Sequence, residues 1–278
     1  MQKGQIALGV GTLVLALALY FGGKTISEKE ATPDVKSVSS SFEEFEKQQT
    51  AKLIAVEQSQ IKSIKDSIKA ADSKDTATLK KLYLHATDFW KTMGSSPLAS
   101  YYYYKYAETE GTKMALSAAG DAFVGVYKEG ADSSISNNLI TFALRSYEEA
   151  VQKDGSDVGL KIKLAEAYVQ GSQEPMKGIG ILRQLADSLP DNVPVMLALG
   201  KLSIQSGQFD KAKERFQKVL KLEPQNTEAL YFMAITEAQL GNKDEAIRLF
   251  EMCKILIGNK EFSKEIDEIV KNLKSKKV

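Results

Sequence analysis

The residues able to do chemistry are few, and their scarcity narrows what this protein can be. Among 278 residues there is a single histidine, His85, and a single cysteine, Cys253. One histidine supplies no His pair and one cysteine no internal disulfide, so the common zinc sites and a disulfide framework fall together. Gly9-x-Gly11 and Gly178-x-Gly180 are glycine pairs without a third glycine or a preceding strand pattern, so neither reads as a phosphate-binding loop. No catalytic triad, metal box or paired-carboxylate cleft is legible. The expectation is a non-enzyme with no cofactor, no metal and no small-molecule substrate.

What remains is the chemistry of recognition. Gln170, Gln205 and Gln239 recur at steps of 35 and 34 residues. Each amide offers a donor and an acceptor to a peptide backbone, and apolar residues stand within one helical turn or two of each. Tyr101 to Tyr104 with Tyr106 form an unusual aromatic run. On a helix, Tyr103 and Tyr106 are expected to enter the core beside Ala99, with Tyr101, Tyr102 and Tyr104 spread around the other faces. His85 beside Ala86 is expected at an interior or boundary position, and Cys253 as a small buried hydrophobe. The charge balance, 37 Lys+Arg against 36 Asp+Glu for a net +1, provides no polycation for a phosphate backbone, so nucleic acid is not an expected partner.

The elements that must hold these residues show a period. Gly200, Gly207, Ala212 and Phe216 lie in LALGKLSIQSGQFDKAKERFQKVLKLEP, and 34 residues later Ala234, Gly241, Ala246 and Phe250 take their places. Small residues at Gly200/Ala234 and Ala212/Ala246 let two helices of a hairpin approach closely. Phe216 and Phe250 fill the space between hairpins, Gly207 and Gly241 turn the chain, and Pro224 ends a helix. Further back, Leu164, Ala165 and Tyr168 followed by Gly178, Leu182, Leu185 and Pro190 repeat the pattern with one extra residue near Gly171 to Pro175. Met114 to Tyr127 with Ala143, Tyr147 and Ala150 read as an earlier hairpin joined by a long connection at 129–137. Leu82, Ala86 and Trp90, then Ser96-Pro97, Ala99, Tyr103 and Tyr106, read as a degenerate one.

This pattern resembles the tetratricopeptide repeat. The resemblance implies an all-α solenoid of about five helical hairpins, with degenerate units over 75–157, clearer repeats over 158–258, and a capping helix and basic tail over 259–278. Phe262, Ile266, Ile269, Val270 and Leu273 lie on one side of that last helix. The repeat register places Ile162, Glu166, Val169 and Gln170 on a concave groove, then Leu197, Lys201, Ile204 and Gln205, then Tyr231, Ile235, Ala238 and Gln239. Such a face suits a protein partner or an extended polypeptide segment. Members of the family that grip a terminal carboxylate use Lys and Asn in the groove, and Lys201 alone matches here.

Ahead of the repeats, residues 1–23 hold an apolar run from Ile6 to Phe21 with no charge between Lys3 and Lys24. Twenty such positions reach roughly 30 Å as a helix, the thickness of a bilayer core. A transmembrane anchor is expected; the competing reading is a signal peptide cleaved after Ala16-Leu17-Ala18. Residues 24–41 read as a flexible linker, and Ser41 with Glu44 as a capping box that opens one long helix over 42–74. Anchor plus repeats resembles in layout the bacterial YfgM-type ancillary subunit of the Sec translocon. That resemblance implies a single-pass inner-membrane protein with its repeats in the periplasm, partnered by the translocon or a periplasmic chaperone. The alternative is a permanent structural subunit of a larger envelope assembly or secretion machine.

Overall fold

The computed structural model describes residues 35–130 and 133–275, and all regular structure among them is α-helical. The transmembrane anchor expected over 1–23 lies outside the described residues. Among the described residues no helix is long and apolar enough to cross a membrane. The chain divides into two compact units, the first running to Ile181 and the second starting at Leu182.

The first unit begins with α1 (Val35–Thr50) and α2 (Ala55–Ala70), continues with two hairpins, α3 (Thr76–Thr92) with α4 (Ser96–Glu110) and α5 (Lys113–Lys128) with α6 (Ser133–Lys153), and adds α7 (Val158–Gly171). Helix α8 (Pro175–Ser188) carries the boundary between the units within it. The second unit holds the hairpins α9 (Val193–Gln205) with α10 (Phe209–Leu222) and α11 (Thr227–Gln239) with α12 (Lys243–Ile257), then α13 (Lys260–Ser275). Four of the expected hairpins are α3/α4, α5/α6, α9/α10 and α11/α12, each within one unit, and α7 and α8 are the helices expected for the fifth.

Local chemistry sets these boundaries. First helices start on a side chain that accepts from the third amide beyond it: Asp157 from Leu160 at 3.0 Å, Asn192 from Val195 at 3.1 Å and Asn226 from Ala229 at 2.9 Å. These caps recur at the repeat spacing. Gly207 and Gly241 sit at φ of 70° and 86°, left-handed values that a side chain would strain, and turn each hairpin of the second unit. Close approach is equally specific. A Cβ on Gly200 would lie 2.5 Å from the Phe216 ring, so only glycine lets α9 meet α10 there. Ala212, Phe216, Ala234, Ala246, Phe250 and Cys253 are all buried, and Ile266 and Val270 of α13 are buried in the same core.

Several expectations are corrected by the packing. The linker of 24–41 is helical from Val35, and the single helix of 42–74 is two helices broken at 51–54, with Ser41 inside α1 rather than at its start. The reason is burial: Phe42 and Phe45 of α1 and Ile61 and Ile64 of α2 all enter one core, with Leu53 packed against it at the bend. One straight rod would carry the two groups apart. The connection at 129–137 is already helical from Ser133. Among the tyrosines, Tyr102 and Tyr104 are the buried ones and Tyr101, Tyr103 and Tyr106 are half-buried, because α4 is packed by α1, α3 and α5. His85 is exposed rather than interior; Ala86 and Thr87 turn inward instead.

Candidate protein-interaction face

In the second unit the two first helices α9 and α11 pack beside one another and present one face. Gln205 and Gln239 stand exposed at their carboxyl ends. On the same two helices Ile204, Ile235 and Ala238 are half-buried, the two isoleucines packed against the core of the unit. Lys201, also half-buried, is held by Glu228 at 3.2 Å across the two helices. The amide pair and an apolar strip thus occur together, which is the arrangement an extended backbone with apolar side chains requires.

Not every expected groove residue is available. Leu197 is 7% exposed and belongs to the core of the unit. Tyr231 is half-buried, with ring centroids 5.7 Å from Phe250 and 6.0 Å from Phe262, so α13 already covers part of it. Burial pushes its phenol above the usual tyrosine range, with Glu265 adding to the effect. Its ring supports the fold as much as it offers a surface.

The first unit carries the remaining expected residues on α7. Ile162 is 9% exposed and therefore interior, whereas Glu166, Val169 and Gln170 are half-buried. The main-chain carbonyl of Gln170 accepts a hydrogen bond from the Tyr127 hydroxyl at 3.4 Å. On the same side, Lys163 bridges to Asp121 of α5 at 2.7 Å, and Asp121 also accepts from the buried Tyr147 at 2.8 Å. This face is therefore charged and internally paired, as Lys201 and Glu228 pair across α9 and α11, and its one glutamine, Gln170, is half-buried where Gln205 and Gln239 are exposed.

Sequence reading missed two features here. Gly120 is the α5 counterpart of Gly200: a Cβ on it would lie 2.5 Å from the Tyr147 ring. The signal was available, since Tyr147 holds the register position of Phe216, but the long connection obscured it. The second is a cleft of about 500 Å³ between α2 and α3, lined by Ile64, His85, Asp88, Phe89 and Met93 among others. Cys253, by contrast, is buried as expected, and burial raises its thiol to about 11. It is a packing residue in this environment.

Comparison with known proteins agrees with this geometry over part of the chain. Residues 203–253 match the model of the tetratricopeptide repeat. A TPR repeat-containing protein of Methanocaldococcus jannaschii is 27% identical over 156 residues, covering 54% of this chain and 27% of its own length. The chain thus spans about a quarter of that curated relative. Among solved structures, a thermophilic TPR protein from Thermus thermophilus is similar at 18% identity and a TM-score of 0.49, covering 68% of this chain and 97% of its own. MamA is similar at 19% identity and a TM-score of 0.44, covering 66% and 95%. YrrB, described as a TPR protein with an unusual peptide-binding site, is similar at 17% identity and a TM-score of 0.41, covering 67% and 91%. At these scores nothing about binding passes from them to this chain. The period, the close-approach glycines and the matched residues agree on one statement: this protein carries tetratricopeptide repeats.

Proposed function

We propose that the protein is an interaction scaffold, held in the bacterial inner membrane by residues 1–23, whose repeats bind a protein segment in the periplasm. It acts by binding, with no reaction of its own, as an accessory to a translocon or a chaperone. The observation that carries the binding role is the face of α9 and α11, where Gln205 and Gln239 stand exposed beside the apolar strip of Ile204, Ile235 and Ala238. Support for the anchor is the uncharged run between Lys3 and Lys24, together with the layout shared with YfgM-type subunits. A second reading, permanent assembly into an envelope machine, draws on another feature. Ile255, Leu256 and Ile257 end α12 at 78%, 39% and 40% exposure, an apolar tip that a fixed neighbour would cover.

The test is cross-linking in intact cells followed by capture from solubilised membranes. Gln205→Ala with Gln239→Ala should reduce the captured partner about tenfold with unchanged helicity, whereas Lys271→Gln with Lys274→Gln should not. In the same cells a cysteine at Ser40 in a Cys253→Ser background should react with an impermeant maleimide. Full capture by the glutamine variant removes the groove reading, and labelling only after lysis reverses the topology.

A further inference from the structure

Helix α1 lies in the first unit as a ligand lies in a groove. Phe42, Phe45 and Glu46 follow an i, i+3, i+4 spacing that puts them on one helical face, and all three are buried. Phe42 stacks on Tyr101 at 5.0 Å and meets Phe142 edge-on at 5.3 Å and Phe123 at 6.3 Å. Glu46, 3% exposed, accepts from the Tyr102 hydroxyl at 2.7 Å and from Lys65 at 2.5 Å. The cradle on α4, α5 and α6 thus reads an aromatic pair and a carboxylate in fixed register, as helix-in-groove recognition does.

The bend that folds α1 back contains no residue that demands it. From residue 34 to residue 93 the chain has no glycine and no proline. Sharp helix breaks normally have such a cause. Here the break at 51–54 rests on tertiary contacts and two local caps: Ile54 donates its amide to Glu57 at 3.1 Å, Gln58 donates to the Leu53 carbonyl at 2.8 Å, and Leu53 packs on the core. The bent state also leaves Ile54 and Val56 each 65% exposed. Straightening α1 and α2 into one helix costs these two caps and regains helical hydrogen bonds across the bend. It also empties the cradle, and an identical α1 from another copy restores every contact that was lost, which is the condition for exchange of an element between protomers.

We infer that the cradle of α4, α5 and α6 is a receptor for a Phe-x-x-Phe-Glu helix, and that two copies of this chain pair by exchanging α1 through the 51–54 bend. This goes beyond the reading of α9 and α11 and does not rest on it, since the cradle belongs to the other unit.

The experiment uses the full chain in detergent with Cys253→Ser throughout. One population carries Glu43→Cys and the other Lys105→Cys, positions beside Phe42 and one helical turn beyond Tyr101, whose rings stack at 5.0 Å. After mixing, a bismaleimide reagent joins them when α1 of one copy occupies the cradle of another, and dependence of the product on Phe42 separates this from other contacts between copies. The expected result is a cross-linked dimer whose yield rises several-fold with Glu57→Ala and Gln58→Ala, which release the bend, and is lost with Phe42→Ala. Glu46→Gln serves in place of Phe42→Ala should that variant lose helicity. A chain carrying both cysteines is the control for reach. If it joins internally in high yield while mixed chains give no product even with the bend released, the exchange does not occur.

Discussion

In residues 182–275 a hairpin closes because Gly200 admits the Phe216 ring; in residues 35–181 one closes because Gly120 admits Tyr147. The geometry is shared and the chemistry differs by one hydroxyl. Each buried phenol of the first unit must find an acceptor, and each finds a carboxylate: Tyr102 with Glu46 at 2.7 Å, Tyr104 with Glu108 at 2.7 Å, Tyr147 with Asp121 at 2.8 Å and Tyr168 with Glu148 at 2.5 Å. Phenylalanine in the second unit makes no such demand, and its repeats keep a plain period of 34 residues. The lesson is that a polar atom at an interlocking position ties the repeat to a specific partner elsewhere in the chain. Degeneracy of sequence here is specialisation of the core.

The largest effect expected from this contrast is at the two aromatic centres. Phe42→Ala should cost the first unit about 3–5 kcal/mol, as Phe216→Ala should cost the second, although Phe42 lies outside every repeat. Trp90, the single tryptophan, is buried in the first unit, so its fluorescence during urea unfolding reads the Phe42 effect; far-UV circular dichroism reads the other. A loss below about 1 kcal/mol at Phe42 would mean that α1 is an accessory to the first unit and not part of its core.

Smaller changes sharpen the shared geometry. Gly120→Ala and Gly200→Ala each force a ring to move and should cost about 1–3 kcal/mol. Gly125→Ala, one turn and a half along α5 where a Cβ meets nothing within 4 Å, should instead gain about 0.5–1 kcal/mol through backbone entropy. Thermal melts of the three variants decide it, and a harmless Gly120→Ala would separate α5/α6 from the repeat geometry.

The smallest effect is a response to alkali. Burial first, then the paired carboxylate, raises the phenols of Tyr102, Tyr104, Tyr147 and Tyr168 above the usual value of 10.0. A raised value in the folded state keeps its full stabilisation below pH about 10 and loses it as the pH climbs further, because the unfolded phenol ionises first. The Trp90 transition should therefore fall more steeply between pH 9 and 11, by about a few degrees, in the wild type than in Tyr147→Phe with Asp121→Asn. Equal slopes would show that the hydroxyl pairs carry no linkage.

Much of the fold was legible because it is local and periodic. The hairpin order, the turns at Gly207 and Gly241, the interlocks at Phe216 and Phe250 and the burial of Cys253 follow from spacing within about 50 residues, where helical geometry alone fixes which side chains meet. The candidate face was legible in register and less so in exposure. The spacing that brings Gln205 and Gln239 to one face says nothing of how deep Leu197 or Tyr231 sits, since depth depends on what α10, α12 and α13 place over them.

What the sequence by itself determined is the repeat: residue size and turn chemistry at a fixed period admit one hairpin geometry. What only the tertiary structure decided is the path of the chain before the repeats. The break at 51–54 and the inward turn of Tyr102 and Tyr104 follow from packing between distant helices, and the buried Glu46 is held by a hydrogen bond between residues 56 positions apart. No local propensity encodes that bond. It accompanies the burial of Phe42 and Phe45 where α1 lies on α4 and α6, an apolar gain set against the helical hydrogen bonds given up at the bend.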